Sequence, residues 1–256
     1  MTNSKYNILV TGSNGFIGKN LLKKLIINGF NILEFNRNDS FDDLEKKIIQ
    51  SDFIIHLAGE VRPNSSTDDF KNSNTLLTEN IINILKKLNI KIPILMASTI
   101  HAKLLKTEYG KTKREAEVLI EEYSKDTNTN CFIYRLPHVF GEGCKPNYNS
   151  VISTWIYNSI NNLEINCFDR SIEMHYVYVQ DIVEDFVSII KNDLQNELYM
   201  EPRKVYDTTL GEVLDFIYEF KQNIQNISYK IDNFEFKQKL FNTYLDYYRS
   251  SNVQYK

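Results

Sequence analysis

Up to about residue 136 the chain alternates short apolar runs with longer stretches whose apolar residues recur at helical spacing. Residues 6–11 (YNILVT), 31–35 (NILEF), 53–58 (FIIHLA), 93–98 and 131–136 (CFIYRL) read as five strands. Runs this short and this continuously apolar suit strands buried on both faces. Helices are predicted between them at 16–27, 41–50, 70–88 and 109–123, the third with Leu76, Leu77, Ile81, Ile84 and Leu85 along it. Alternating strand and helix predicts βαβ units, and so an α/β fold: a Rossmann-like, doubly wound parallel sheet with helices on both faces.

Beyond Gly141 the rhythm changes. A polar loop at 142–150 contains Pro146, a helix is predicted at 151–160, a short strand at 175–179, and helices at 181–190 and 210–220. The pattern divides the chain into 1–141 and a smaller α/β part, 142–256, with the region around 175–190 returning to the first. The stretch 232–256 is aromatic and polar and receives no compact unit. Its Tyr244, Tyr247, Tyr248 and Tyr255 read either as packing or as a docking strip.

Composition narrows the classes. Hydrophobic residues make up 42% and charged residues 25% of the 256, as in an ordinary soluble globular chain. The net charge of -3, without a basic run, argues against nucleic acid. No apolar stretch approaches the ~20 residues that span a bilayer, and the N-terminus shows no secretory pattern, so neither membrane nor export is expected. Cys131, Cys144 and Cys167 stand singly, without the pairs of a zinc site. They read as reduced thiols of a cytoplasmic protein, and no metal is expected.

Between the first strand and the first helix lies Thr11-Gly-Ser-Asn-Gly-Phe-Ile-Gly18, with glycines at 12, 15 and 18. Gly12 permits a tight turn, Gly15 a close approach of backbone to pyrophosphate, and Gly18 close packing of helix on sheet. The helix N-terminus would then face the phosphates. An NAD site normally has an acid at the tip of the second strand for the ribose 2′-hydroxyl. Here the tip reads Phe35-Asn36-Arg37. Arg37 suits a 2′-phosphate and so NADP(H); the alternatives are a plain exposed arginine, with Asp39 as the ribose ligand.

Tyr109 and Lys113 are four residues apart, on one face of the helix they open, and Thr99 ends the fourth strand. An ammonium beside a phenol favours phenolate. Bringing the phenol from about 10 to ~7 needs about 4 kcal/mol, which Lys113 and a cationic nicotinamide could share. In a reduction Tyr109 would give its proton to the substrate oxygen, with the Thr99 hydroxyl bonded to that oxygen.

These pieces resemble the extended short-chain dehydrogenase/reductases: the TGxxGxxG loop, FIIHLAG at 53–59, the strand-end Ser-Thr, YxxxK, RLPHVFG at 135–141 and VYVQDI at 177–182. Within that family the chain is most similar to the reductase domain of capsular-polysaccharide enzymes that form UDP-N-acetyl-L-talosamine on the way to UDP-N-acetyl-L-fucosamine. HLAGEVRP at 56–63, YGKTK at 109–113, GCKPNYNSVIST at 143–154, LGEVLDFIYEFK at 210–221 and FNTYLDY at 241–247 carry this likeness.

The resemblance implies NADPH-dependent reduction of the C4 ketone of a UDP-linked 2-acetamido-2,6-dideoxy-4-ketohexose. Thr99, Tyr109 and Lys113 would be catalytic. Gly12, Asn14, Gly15, Phe16, Ile17 and Arg37 would surround NADP(H), with Leu57, Ala58 and Gly59 along its length and Tyr109 and Lys113 at the nicotinamide end. It also implies a homodimer through the long helix from Phe70 and the Tyr109 helix. The resembled enzymes continue into a cupin domain that epimerises C3, so a chain without one is either an excised piece or the partner of a separate 3-epimerase.

Departures bear on the UDP-sugar site. His138 stands where the family usually has Asn, and Met174-His175 where an Arg often contacts the phosphates. Arg170 or Lys145 would supply the charge instead, with Asn147 of the 145–149 loop facing the substrate and His101 facing the sugar. His56, inside an apolar strand, reads as a packed core histidine, and no cysteine is needed.

Other functions compete. A 4,6-dehydratase would resemble its family by an Asp-Glu pair after the active Thr, where this chain has Ile100-His101. A 4-epimerase usually prefers NAD, against which Arg37 argues, and a reductase of a related 4-ketosugar, such as a quinovosamine precursor, is a further alternative. A non-catalytic dinucleotide sensor would usually lack the Tyr–Lys pair.

Overall fold

The computed structural model describes residues 6–62, 64–191, 197–226 and 228–253, which fall into two compact units. In chain order the elements are β1 (Asn7–Thr11), α1 (Phe16–Ile27), β2 (Asn31–Phe35), α2 (Phe41–Ile49), β3 (Phe53–His56), α3 (Thr67–Phe70), a π-helical stretch (Lys71–Leu76), α4 (Leu77–Leu88), β4 (Ile94–Thr99), α5 (His101–Leu104), α6 (Glu108–Thr127) and β5 (Cys131–Leu136). There follow β6 (His138–Phe140), α7 (Val151–Ile160), β7 (Glu173–Tyr178), α8 (Val179–Ile190), β8 (Tyr199–Met200), β9 (Tyr206–Thr209), α9 (Leu210–Asn223) and α10 (Glu235–Val253).

The first unit, Met1–Leu136 with Val183–Pro202, holds a parallel sheet in the order β2-β1-β3-β4-β5-β8. The chain steps from β1 out to β2 and then returns to the other side of β1, where it adds β3. The carboxyl ends of β1 and β3 therefore flank the switch point at which doubly wound sheets bind ligands. Interior strands are buried on both faces, β3 completely, and Leu9, Ile54, Ile94, Met96 and Ile133 pack with Ile81, Leu85, Ile120 and Tyr123 from the helices. Edge strand β2 buries only Phe35, which leaves Glu34 exposed.

Local chemistry explains several boundaries. Capping boxes start α2 at Ser40/Asp43 and α3 at Ser66/Asp69. Thr107 caps α6 by accepting from the Gly110 N–H, and Asn128 ends that helix with φ 53°. The predicted helix at 70–88 is not continuous: it begins at Thr67 and is π-helical over Lys71–Leu76. Buried Asn74 in that stretch accepts from the Glu60 N–H at 2.9 Å and donates to the Thr112 hydroxyl at 3.2 Å, tying the loop after β3 to α6. The pattern also missed β8, whose two residues are too short for any period, and the short α5.

The second unit, Pro137–Ile182 with Arg203–Lys256, has a three-stranded sheet, β6-β7-β9, with β6 parallel and β9 antiparallel to β7. Phe140, Trp155, Tyr176, Phe220, Phe236 and Tyr244 build its aromatic core. The stretch that returns to the first unit is 183–202, displaced from the 175–190 of the sequence pattern because β7 pairs in the second unit's sheet. The aromatic tail is not an unassigned strip. It forms α10, whose Phe236, Leu240 and Tyr244 are buried at successive fourth positions. Tyr247 donates to the Cys144 carbonyl, and Tyr255 lies outside the described residues.

Candidate active site

The glycine loop is shaped by backbone that admits no side chain. Gly12 has φ 69°, and a Cβ there would lie 2.7 Å from the Ala58 nitrogen; at Gly18 a Cβ would lie 2.5 Å from the Gly12 carbonyl. Gly15 is the N-cap of α1, no side chain caps that end, and no acid lies in the first turn. Phe16 and Ile17 follow in that turn. An uncapped, acid-free helix start against a turn with glycines at both ends fits a dinucleotide's pyrophosphate. The Ala58 N–H donates to the Thr11 hydroxyl and the Leu57 N–H to the Thr11 carbonyl, which hold the β3 exit against the loop. A Cβ on Gly59 would lie 3.9 Å from Lys113 Nζ, so this segment runs toward the Tyr–Lys pair.

At the β2 tip, Asn36 accepts from the Asn14 N–H and is hydrogen-bonded to Ser13. Ser13 also donates to Glu34 Oε2 at 2.7 Å. Glu34 is an acid beside the glycine loop that the sequence reading overlooked, because on strand β2 it shares a face with Asn36, two residues on. Asp39 is engaged elsewhere: it accepts from the Asn36 N–H and from Lys47, and these bonds hold its carboxyl below the usual range. Arg37 is largely exposed and bonds Glu60 at 3.2 Å.

Thr99 is buried at the end of β4, and its hydroxyl accepts from the His101 N–H. Tyr109, in the first turn of α6, lies between the rings of Phe70 and His101, at centroid distances of 6.1 and 6.2 Å. One turn on, Lys113 is buried and donates to the Ala97 carbonyl at 2.7 Å. Burial pushes the Tyr109 phenol up to about 12, the Thr99 hydroxyl pulling the other way, and burial brings Lys113 down to about 8 against the opposing charge of Glu117. Burial is the larger influence this chain's own residues exert on the phenol, and the Lys113 ammonium donates to the Ala97 carbonyl.

Beneath the pair lies a cluster the sequence reading missed. Fully buried Glu117 accepts from Ser98 at 2.6 Å, from Arg135 at 2.9 and 2.6 Å, and from Arg114 at 3.0 Å. It joins α6, one turn past Lys113, to β4 and β5. Its only linear signal is one more i,i+4 step, which any charged helix offers. His56 is a packed core residue: its ring nitrogens meet the hydroxyls of Thr11 at 2.7 Å and Thr78 at 3.0 Å, and burial beside Lys113 lowers it to about 3.

His101 stands beside Tyr109 in the first unit. In the second unit, His138 is exposed on β6 with its ring 5.9 Å from Tyr176, and Lys145 is exposed in the following loop. Asn147 adopts φ 54° and donates its N–H to the Thr154 hydroxyl. Arg170 reaches both Asp215 oxygens at 2.7 Å, and His175 pairs with Asp207. The Arg170 and His175 side chains are thus paired with acids of α9 and β9. Among the described residues no cluster of His, Cys, Asp or Glu could hold a metal ion, and no helix is long and apolar enough to cross a membrane.

Comparison with known proteins extends the picture. Residues 8–200 match the model of the NAD dependent epimerase/dehydratase family. The chain is 32% identical over 249 residues to the UDP-2-acetamido-2,6-beta-L-arabino-hexul-4-ose reductase of Pseudomonas aeruginosa, covering 97% of this chain and 66% of that protein. The capsular polysaccharide assembling protein CapF of Staphylococcus aureus superposes with a TM-score of 0.85 at 36% identity, covering 96% of this chain and 67% of the other. The chain thus spans about two thirds of the length of both. A UDP-glucuronic acid 4-epimerase of Bacillus cereus, at 15% identity, TM-score 0.80 and coverage of 95% and 99%, shares the fold.

Proposed function

Because the chain belongs to the NAD dependent epimerase/dehydratase family, we propose that it is an NADPH-dependent reductase of a nucleotide 4-ketosugar. The substrate is a UDP-2-acetamido-2,6-dideoxy-4-ketohexose, the product UDP-N-acetyl-L-talosamine, and the setting UDP-L-FucNAc and surface-polysaccharide synthesis in the cytoplasm. The likeness to the Pseudomonas reductase, which extends over 97% of this chain, supports the substrate class.

The observation that carries the reading is the placement of Tyr109 in the first turn of α6, one turn before Lys113, whose Nζ is tied to Ala97 two residues before the buried Thr99. A reduction needs an acid at the carbonyl oxygen, and a phenol can give that proton. A reduced nicotinamide held at this site would supply the hydride. Tyr109 Oη gives its proton to the C4 oxygen, the Thr99 hydroxyl holds that oxygen, and Lys113 Nζ favours the phenolate left behind and contacts the nicotinamide ribose. Gly12, Asn14, Gly15, Phe16 and Ile17 take the pyrophosphate, Arg37 the 2′-phosphate, and Leu57, Ala58 and Gly59 line the cofactor's length. His101 is assigned to the sugar, and His138, Lys145 and Asn147 to the rest of the UDP-sugar. Arg170 joins them only by exchanging Asp215 for phosphate. A homodimer through α4 and α6 and a separate C3 epimerase complete the proposal.

The test is NADPH consumption with the product of a UDP-GlcNAc 4,6-dehydratase, with and without a 3-epimerase. Turnover that requires the epimerase is expected. Turnover without it points to another ketosugar isomer, and none in either case overturns the substrate.

A further inference from the structure

Glu60, at the exit of β3, is a buried carboxylate, 2% exposed, surrounded by cations. Its Oε1 accepts from the N–H groups of Val61 and Arg62 and from Arg62 Nε, and its Oε2 from Arg62 Nη2 at 2.7 Å and Arg37 Nη2 at 3.2 Å. These bonds, Arg62's first, hold the Glu60 carboxyl at about 2, so it stays ionised throughout the neutral range. One carboxylate thus gathers two guanidinium groups from loops 25 positions apart in sequence, Arg37 after β2 and Arg62 after β3.

A single carboxylate neutralises only one of the two arginines, so the trio keeps a net positive charge. Arg37, 72% exposed, gives Glu60 one nitrogen of a fork that carries five N–H donors. An anchor that fixes a guanidinium without consuming its outward donors is what a bidentate phosphate site requires. Arg37 follows Asn36, which is bonded to Ser13 and Asn14 of the glycine loop, so the anchored pair lies beside the proposed adenosine end of the cofactor groove.

We propose that Arg62 is a second ligand of the cofactor's 2′-phosphate, and that Glu60 is a positioning residue that holds Arg37 and Arg62 together as one anion clamp. This rests on the NADP(H) reading above and deepens it: selectivity over NAD(H) comes from a pair of guanidinium groups, not from Arg37 alone. Glu34, bound to Ser13 beside the same loop, is the acid that would serve a 2′-hydroxyl instead.

The experiment is equilibrium binding to the full chain, followed by reduced-nicotinamide fluorescence for NADPH and NADH and by displacement with 2′,5′-ADP and with 5′-ADP. The thermal midpoint of each variant is taken as a check on folding. Loss of one charged phosphate contact by Arg62→Ala is expected to weaken NADPH and 2′,5′-ADP about tenfold and to leave NADH and 5′-ADP unchanged. Arg62→Lys restores part of the loss. Glu60→Gln, still folded, lowers NADPH affinity selectively, which a merely structural role would not do. The clamp is overturned if Arg62→Ala leaves NADPH binding intact or weakens both cofactors alike while the unaltered chain prefers NADPH. If the unaltered chain prefers NADH and Glu34→Gln abolishes that preference, the NADP(H) reading itself fails and the clamp with it.

Discussion

Lys113 Nζ donates to the carbonyl of Ala97 at 2.7 Å, which ties α6 to β4 two residues before Thr99. That one bond sets the spacing of the three side chains proposed to carry the chemistry. It anchors the helix that carries Tyr109 to that strand.

Tyr109→Phe removes the proton donor and little else. NADPH oxidation with the 4-ketosugar should fall about 100- to 10,000-fold, while NADPH affinity and the thermal midpoint stay near those of the unaltered chain. Retention of most of the turnover would move the acid to another residue.

The pH dependence of stability should reveal Lys113. Its folded value, about 8, lies below the ordinary 10.5, so between these values the unfolded chain binds more protons and stability rises with pH. The contribution is fully present above about 10.5 and is lost as pH falls through 8. Denaturant titration should show the unaltered chain gaining about 3 kcal/mol on Lys113→Met across that window. Parallel profiles would contradict the buried ammonium.

Glu117 is fully buried, and Arg135 beside it is largely buried. Glu117→Gln should cost about 3 kcal/mol in denaturant unfolding, because the arginine is left without its counter-charge. The pair Glu117→Leu with Arg135→Met should recover a good part of that loss. A single variant as stable as the parent would show the cluster to be dispensable.

Gly12→Ala and Gly29→Ala separate steric from conformational strain. Both residues have positive φ, but a Cβ at Gly12 meets Ala58 at 2.7 Å whereas one at Gly29 meets nothing within 4 Å. Gly29→Ala should cost about 1 kcal/mol and spare NADPH binding. Gly12→Ala should cost more and abolish that binding in a fluorescence titration.

The C-terminal helix is expected to be structural. Tyr244 is 1% exposed, with its ring 5.7 Å from that of Phe220. Tyr244→Ala should lose about 3–5 kcal/mol in denaturant unfolding, as for other buried aromatics. A loss below 1 kcal/mol would return the tail to the status of a docking strip.

Much of the first unit was legible in linear form because each of its signals is local. Runs such as FIIHLA announce strands buried on both faces, glycines at 12, 15 and 18 announce a turn, and the i,i+4 spacing of Tyr109 and Lys113 places them on one helix face. At the π-helical stretch, the determinant was distant in sequence. Asn74 meets Glu60 and Thr112 and sits in a π-helical stretch that no helical period reports. The α10 period was local and present, with Phe236, Leu240 and Tyr244 four apart, but abundant polar residues between them masked it.

The sequence by itself therefore determined the doubly wound sheet and the glycine loop and put Tyr109 and Lys113 on one helix face, since propensity, periodicity and spacing act over a few residues. Tertiary structure alone decided the burial of these residues and the company they keep. Tyr109 is raised and Lys113 lowered by burial, Glu117 gathers partners from β4, β5 and α6, and Glu60 draws Arg37 and Arg62 together. Desolvation and ion pairing depend on what the folded chain places within a few ångströms, and no spacing along the chain encodes that.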